Sequence, residues 1–120
     1  MSNSSVITIG ETPALRHIVQ SAVGDFRWPI QFIEGDTGQT PIDVSADSFE
    51  FIVYDTDGTT AIVTLEIGTG ISFLNDSTIQ VDLPLDEYTA FTKGCKYDYL
   101  LRQTVGTFRK PLFTGKFSIV

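Results

Sequence analysis

The stretch VDLPLDEYTAFTKGCKYDYLLRQ, residues 81–103, decides the fold class. It begins and ends with runs in which apolar and polar residues alternate, the period of a half-buried β-strand. Between these runs, Leu85, Tyr88 and Phe91 recur at helical spacing, with acids near the start and Lys93-Gly94 at the end. Acids suit the N-terminal end of a helix, and glycine suits the position that stops one. The stretch therefore predicts two strands joined by one or two helical turns.

The rest of the chain alternates in the same way. SFEFIVYD and TAIVTLEIG flank the turn sequence DTDG and predict a β-hairpin. ISFLNDSTIQVDLP predicts a second strand pair, and KPLFTGKFSIV predicts the last strand. No helical segment is long enough for a parallel crossover, so the sequence predicts an all-β, antiparallel sandwich of seven to eight strands with one short helical turn. The predicted inward residues are Trp28, Ile30, Phe32, Phe49, Phe51, Val53, Val63, Leu65, Ile67, Ile79, Val81, Leu83, Tyr97, Tyr99, Leu101, Phe113, Phe117 and Ile119.

Length and charge restrict the class of protein. A chain of 120 residues is the size of one domain. Its net charge of −7, from 15 acids and 8 bases without a basic cluster, argues against nucleic-acid binding and against an anionic membrane surface. There is one cysteine, no signal peptide and no apolar run long enough to span a membrane. We expect a protein without disulfides that is made and folded in a cytoplasm.

The residues that usually carry catalysis form no recognisable motif. The one histidine, His17, and the one cysteine, Cys95, stand far apart in the sequence without a signature around either. There is no nucleophile elbow, no phosphate-binding loop and no histidine pair for zinc. The sequence therefore predicts a non-enzymatic protein with no cofactor, no catalytic residue and no metal site.

A carbohydrate- or calcium-dependent adhesion module is the alternative from another class. DTDG is similar to the start of a calcium loop, so Asp55, Asp57 and Asp36 are candidate ligands, although a hairpin turn explains the first two equally. Aromatic residues could form a platform for sugars, but alternation turns three of them inward. The aromatic candidates are Trp28, Tyr54, Tyr88, Tyr97 and Tyr99.

Two long segments resemble a known family. GDFRWPIQFIEGDTGQTPIDVSADSFEFIVYDTDGT is similar to the first strands of the immunoglobulin-like β-sandwich domains found in tailed-phage virion proteins. The segment from residue 70 to 120 is similar to the second half of these domains. The positions that match the pattern of the family are Gly94, Tyr97, Tyr99, Gly115 and Phe117. Such domains occur in tail, baseplate and fibre proteins, including the N-terminal parts of baseplate upper proteins.

The resemblance implies an immunoglobulin-like sandwich over residues 24–120 and a structural role in the virion. The expected protein is a non-enzymatic assembly module of the tail, baseplate or head–tail region, made in the cytoplasm of the host bacterium. Its expected partners are other virion proteins and further copies of itself in a symmetric oligomer. A capsid decoration protein is the nearest variant of this expectation.

Residues 1–23 are predicted to be an N-terminal arm, which the resembling domains do not require. The arm contains one β-prone run, Val6-Ile7-Thr8-Ile9, which could add as a strand to the sheet edge of a neighbouring protein. Pro29 interrupts an alternating strand and lacks the N–H of a sheet ladder, so it predicts an edge strand. The predicted protein–protein contact residues are therefore Val6, Ile7, Ile9 and Pro29.

Overall fold

The computed structural model describes residues 14–21, 24–33, 40–84 and 91–120, and these residues contain nine β-strands and no helix. The predicted all-β class is confirmed. The helical turn predicted after Pro84 falls mainly on residues 85–90, which lie outside the described residues. No described segment is a helix that could cross a membrane. The strands are β1 (Ala14–Leu15), β2 (Ile18–Gln20), β3 (Phe26–Gln31), β4 (Ser48–Tyr54), β5 (Ala61–Ile67), β6 (Gly70–Asn75), β7 (Thr78–Leu83), β8 (Lys96–Val105) and β9 (Phe108–Ile119).

The strands form one mixed sheet in the order β1-β9-β8-β4-β5-β6-β7-β3, and β2 also pairs with β9. Most pairs are antiparallel, but β1 and β2 run parallel to β9, and β5 pairs in parallel with the start of β6. The prediction of seven to eight antiparallel strands was therefore wrong in number and in orientation. β1 and β2 are two and three residues long, too short for their alternation to be visible. They belong to the segment predicted as an arm (residues 1–23), and the structure places them in the sheet of the domain.

The sheet curls until its two ends face each other across the core. The rings of Phe26 and Phe51 lie 5.8 Å apart, and those of Phe26 and Phe117 lie 5.2 Å apart. The Trp28 ring lies 5.0 Å from that of Phe113. β3 has neither β4 nor β9 as a neighbour in the sheet. These contacts therefore join side chains from opposite sides of the curled sheet across its interior. Aromatic residues of β3 therefore close the core.

The change of direction between β5 and β6 depends on Gly70. Its φ angle is 94°, which is the left-handed region that favours glycine. A Cβ at this position would lie 2.7 Å from the Cδ2 of Leu65. Glycine is therefore required for both reasons, and the chain passes here from the half of the sheet around β4 to the half around β7.

Alternation identified the buried side of the strands. Every predicted inward residue is buried except Ile67, which is 38% exposed because it is the last residue of β5 before the corner. Ile79, Val81 and Leu83 are each 0% exposed. The hairpin at DTDG is also confirmed, since Asp55 donates its N–H to the carbonyl oxygen of Thr60 at 2.7 Å. The period of the side chains therefore predicted most of the core. The buried residues that it did not predict are Ile18, Phe26, Val44, Ile52, Ile71 and Leu112.

Candidate functional site

β3 is an edge strand, as Pro29 predicts. It pairs with β7 on one side, where Pro29 lies opposite Gln80, and no described strand pairs with its other side. The side chain of Pro29 is exposed. Whether Pro29 contacts a partner stays a prediction. The other three predicted contact residues, Val6, Ile7 and Ile9, lie outside the described residues.

The nitrogen of Pro29 faces away from β7. Phe32 donates its N–H to the carbonyl oxygen of Ser77 at 2.8 Å. Backbone groups alternate sides along a strand, so the odd-numbered residues Arg27, Pro29 and Gln31 direct theirs to the free edge. Since proline has no N–H, this edge lacks its central donor. Proline on an edge strand discourages the addition of another strand.

The opposite end of the sheet is formed by β1 and β2 along β9. Arg16 donates its N–H to the carbonyl oxygen of Thr114 at 2.8 Å, and Val120 donates to that of Gln20 at 2.9 Å. In β1 and β2 the even-numbered residues therefore face β9, and the backbone groups of Leu15 and Val19 point to the edge with which no described strand pairs. Arg16 and His17 lie between the two strands, and none of residues 15–19 is proline.

Tyr99 and Gly115 hold the N-terminal segment in place. The buried Tyr99 hydroxyl donates a hydrogen bond to the carbonyl oxygen of Arg16, and burial raises the pKa of Tyr99 above its ordinary value. Gly115 lies beneath this carbonyl, and a Cβ on it would be 2.3 Å from the Arg16 oxygen. The Arg16 guanidinium lies 5.5 Å from the centre of the Trp28 ring. Tyr99 and Gly115 therefore act together on the backbone of Arg16.

His17 is used as a hydrogen-bond acceptor. The N–H of Lys116 donates to His17 Nδ1 at 3.0 Å, so the neutral imidazole carries its proton on Nε2. Nδ1 is consequently occupied and does not act as a base toward a nucleophile in this arrangement. Cys95 is half-buried and precedes β8, and its carbonyl oxygen accepts the N–H of Ile119 at 3.1 Å.

The candidate aromatic platform for sugars is largely inside the protein. Trp28, Tyr97 and Tyr99 are 7%, 2% and 1% exposed, as alternation predicted. Tyr54 is half-buried, and Tyr88 lies outside the described residues. Three of the five candidate rings are therefore packed in the core rather than presented to a ligand.

The candidate calcium ligands stabilise the hairpin turn. Asp57 accepts the N–H groups of Thr59 and Thr60, each at 2.9 Å, and the Thr60 hydroxyl at 2.6 Å. These hydrogen bonds, chiefly those from Thr60, lower the pKa of Asp57 to about 2. Asp55 accepts the N–H of Thr56, and Asp36 lies outside the described residues. Within the described ranges no three histidine, cysteine or acidic residues are grouped as a metal site.

The described strands border two open grooves at the surface. One, of about 230 Å³, separates β2 from β3 and is lined by Arg16, His17, Arg27 and Trp28 among others. The other, of about 340 Å³, includes Glu50, Glu66 and Arg109. Glu50 lies opposite Glu66 and receives the Arg102 guanidinium at 2.6 Å. One of the three charged residues of this second groove, Glu50, is therefore already paired with a cation of the neighbouring strand.

Exposed apolar side chains concentrate at two places among the described residues. Leu15, Val19 and Val120 are 71%, 69% and 54% exposed, and they lie along the edge formed by β1, β2 and the end of β9. Val105 and Phe108 face each other at the turn between β8 and β9, and Phe108 is 62% exposed. The edge formed by β1 and β2 was missed in the sequence. The run ALRHIVQ carried a signal, since Leu15 and Val19 are four residues apart and share a face in a strand.

Comparisons with known proteins give no family. No known protein family and no curated protein sequence matches this chain. Among solved structures, it is similar to a 1.4 Å resolution crystal structure of an uncharacterized protein from Bacillus anthracis str. Ames. The two chains are 11% identical, the similarity covers 89% of this chain and 85% of that one, and the TM-score is 0.45. A likeness of this size assigns no function.

Proposed function

We propose that this chain is an immunoglobulin-like β-sandwich of a tailed-phage virion, a non-enzymatic assembly module of the tail, baseplate or head–tail region. The arrangement of strands supports the immunoglobulin-like description. β6, β7 and β3 form one half of the curl, and β1, β2, β9, β8, β4 and β5 form the other. Rings from β3 pack against rings from β4, β8 and β9 across one core, a feature that the curled sheet has in common with the two facing layers of a sandwich.

The main support for the proposal is that the side chains most able to do chemistry take part in structural hydrogen bonds. Asp57 closes a turn, His17 accepts a backbone N–H, and Tyr99 holds the N-terminal segment. Among the described residues, exposed apolar side chains lie beside a free sheet edge, and these suit contacts with proteins. A module with these properties acts through its surface.

The setting in a phage rests on the sequence resemblance. Gly94, Tyr97, Tyr99, Gly115 and Phe117 match the pattern of the virion domains. Two of them, Tyr99 and Gly115, jointly position Arg16, so the match includes residues that act together rather than scattered apolar positions. Further copies of the chain and other virion proteins are the proposed partners, arranged around a symmetry axis.

The test is the presence and position of the protein in particles. Mass spectrometry of purified virions should detect the chain, and immunogold electron microscopy should place it on the tail, baseplate or neck. Its absence from particles refutes the proposal, and labelling spread over the head surface replaces it with capsid decoration. A calorimetric response to calcium, or specific binding on a glycan array, would support an adhesion module instead.

A further inference from the structure

The two ends of the curled sheet differ in their ability to accept an added strand. On β3, the free edge lacks the central N–H because of Pro29, which leaves the donors of Arg27 and Gln31 four residues apart. On β1 and β2, the free edge keeps the N–H groups of Leu15 and Val19, and no proline lies between them. A strand added here therefore loses no donor to proline, whereas a strand added to β3 loses a hydrogen bond at its centre.

The side chains at the β1–β2 edge also favour this edge as the place where a strand is added. Leu15 and Val19 are more than two thirds exposed, at 71% and 69%, and Val120 next to them is 54% exposed. Native proteins that leave a sheet edge unpaired usually protect it with charged side chains or proline and avoid exposed apolar residues beside it. An added strand with apolar residues would cover them.

The chain itself contains a suitable strand. Thirteen residues precede Ala14, and they include Val6-Ile7-Thr8-Ile9, in which Ile7 and Ile9 share one face. Pro13 disfavours a helical conformation of the residue before it. Four residues, Gly10 to Pro13, separate the run from Ala14. Fully extended, they place Ile9 about 17 Å from Ala14, so the run can lie beyond the edge of its own sheet, where a second copy is within its reach.

We infer that the β1–β2 edge of one copy receives the Val6–Ile9 segment of a second copy as an added strand. The inference rests on the proposed function and names its contact: a partner of the same sequence, bound through backbone hydrogen bonds and the apolar residues Leu15 and Val19. Each copy gives one strand and receives one at a different surface, so the contact is heterologous and builds closed rings or open chains. The β3 edge, although Pro29 marks it in the sequence, stays free.

Two matched proline variants of the full chain test which edge is used. Val19→Pro and Gln31→Pro each remove one N–H that points to a free edge, and neither residue donates to its neighbour in the sheet. Size-exclusion chromatography with light scattering should show an oligomer for the wild type and for Gln31→Pro, and a monomer for Val19→Pro. A monomeric wild type at 1 mM overturns the inference, as does an unchanged Val19→Pro or a monomeric Gln31→Pro.

A mixing experiment tests the donor segment and the direction of the contact. Ile7→Pro copies should accept a strand but not give one, and Val19→Pro copies should give but not accept. Each should be a monomer alone, and an equimolar mixture should form a one-to-one dimer. If the mixture stays monomeric, the segment pairs in its own chain or not at all, and the inference fails.

Separate controls show whether each variant is folded and whether a failure concerns the strand contact or the virion role. Tryptophan fluorescence of Trp28 should remain that of the wild type in every variant, and Leu15→Lys/Val19→Lys tests the same edge without a proline, with the monomer as the expected result. An oligomeric double-lysine variant overturns the inference even if Val19→Pro fails to fold. If virions contain the wild-type protein but the edge variants form the same oligomers as the wild type, the strand contact is rejected and the virion role is not. Virions without the protein would reject the virion role.

Discussion

Gly115→Ala is expected to loosen the N-terminal strands. Glycine at this position leaves room for the carbonyl group of Arg16, which accepts the hydrogen bond of Tyr99. An added Cβ would lie 2.3 Å from the Arg16 oxygen and 2.8 Å from its carbonyl carbon. Both are backbone atoms, so no side-chain rotation can relieve the overlap. The segment has to move away from β9 or detach.

The cost follows from these two responses. A shift of the segment corresponds to overpacking, which costs about 1–3 kcal/mol. Detachment exposes Ile18, which costs about 1.5–3 kcal/mol, and leaves the buried Tyr99 hydroxyl without its acceptor, which costs about 1–3 kcal/mol more. The shift is the cheaper response, and alanine at the φ of 156° that Gly115 adopts adds backbone strain of about 1–3 kcal/mol. We therefore expect the free energy of unfolding to fall by about 2–6 kcal/mol.

Urea denaturation and amide hydrogen exchange measure the two parts of this prediction. The amides of Arg16 and Ile18 should lose protection in Gly115→Ala relative to the core of β8. Gly106→Ala is the control, because φ at Gly106 is 61° and a Cβ there meets nothing within 4 Å. It should lower stability through backbone strain alone and leave the exchange of Arg16 and Ile18 unchanged. Full stability and full protection of these amides in Gly115→Ala would refute the role given to Gly115.

Three further predictions concern single interactions. The pKa of Asp57 is lowered from 3.8 to about 2 in the folded protein. The ionised Asp57 therefore stabilises the fold fully above pH 3.8, and this stabilisation is lost as the pH falls toward 2. Asp57→Asn should remove this part of the acid dependence of stability, measured by urea titrations at several pH values. The pKa of Tyr99 is raised above 10.0 by burial, so the fold requires the protonated phenol and loses stability as the pH rises above 10. Tyr99→Phe should weaken this alkaline loss and cost about 1–3 kcal/mol at neutral pH, because the carbonyl of Arg16 loses its donor; an alkaline transition identical to that of the wild type would count against it. Arg102→Met should leave Glu50, which lies opposite Glu66, without its cation and lower the free energy of unfolding by about 0.5–1 kcal/mol. Glu50→Gln in the same chain should recover most of this loss. No recovery would indicate that packing rather than charge is responsible.

Local sequence patterns determined the strands and their buried faces. Alternation over SFEFIVYD and TIQVDL predicted the inward face of each strand because a strand places successive side chains on opposite faces whatever its neighbours are. It did not predict that Ile52, on the other face of β4, is also buried. The DTDG hairpin was predictable for the same reason, since turn chemistry acts over four residues. The one inward residue that alternation placed wrongly, Ile67, stands where the strand ends and the chain turns.

Only the tertiary structure decided which strands are neighbours and which edge is open. The bond from Tyr99 to Arg16 joins residues 83 positions apart, and nothing in a local pattern specifies such a pair. Pro29 indicates an edge from the sequence alone, but the direction of its missing donor follows from the register of β3 on β7. Register and strand order result from packing between distant segments, whereas the period of a strand depends on its own backbone. For this reason the sequence predicted most of the core, and the structure was needed to find the free edge of β1 and β2.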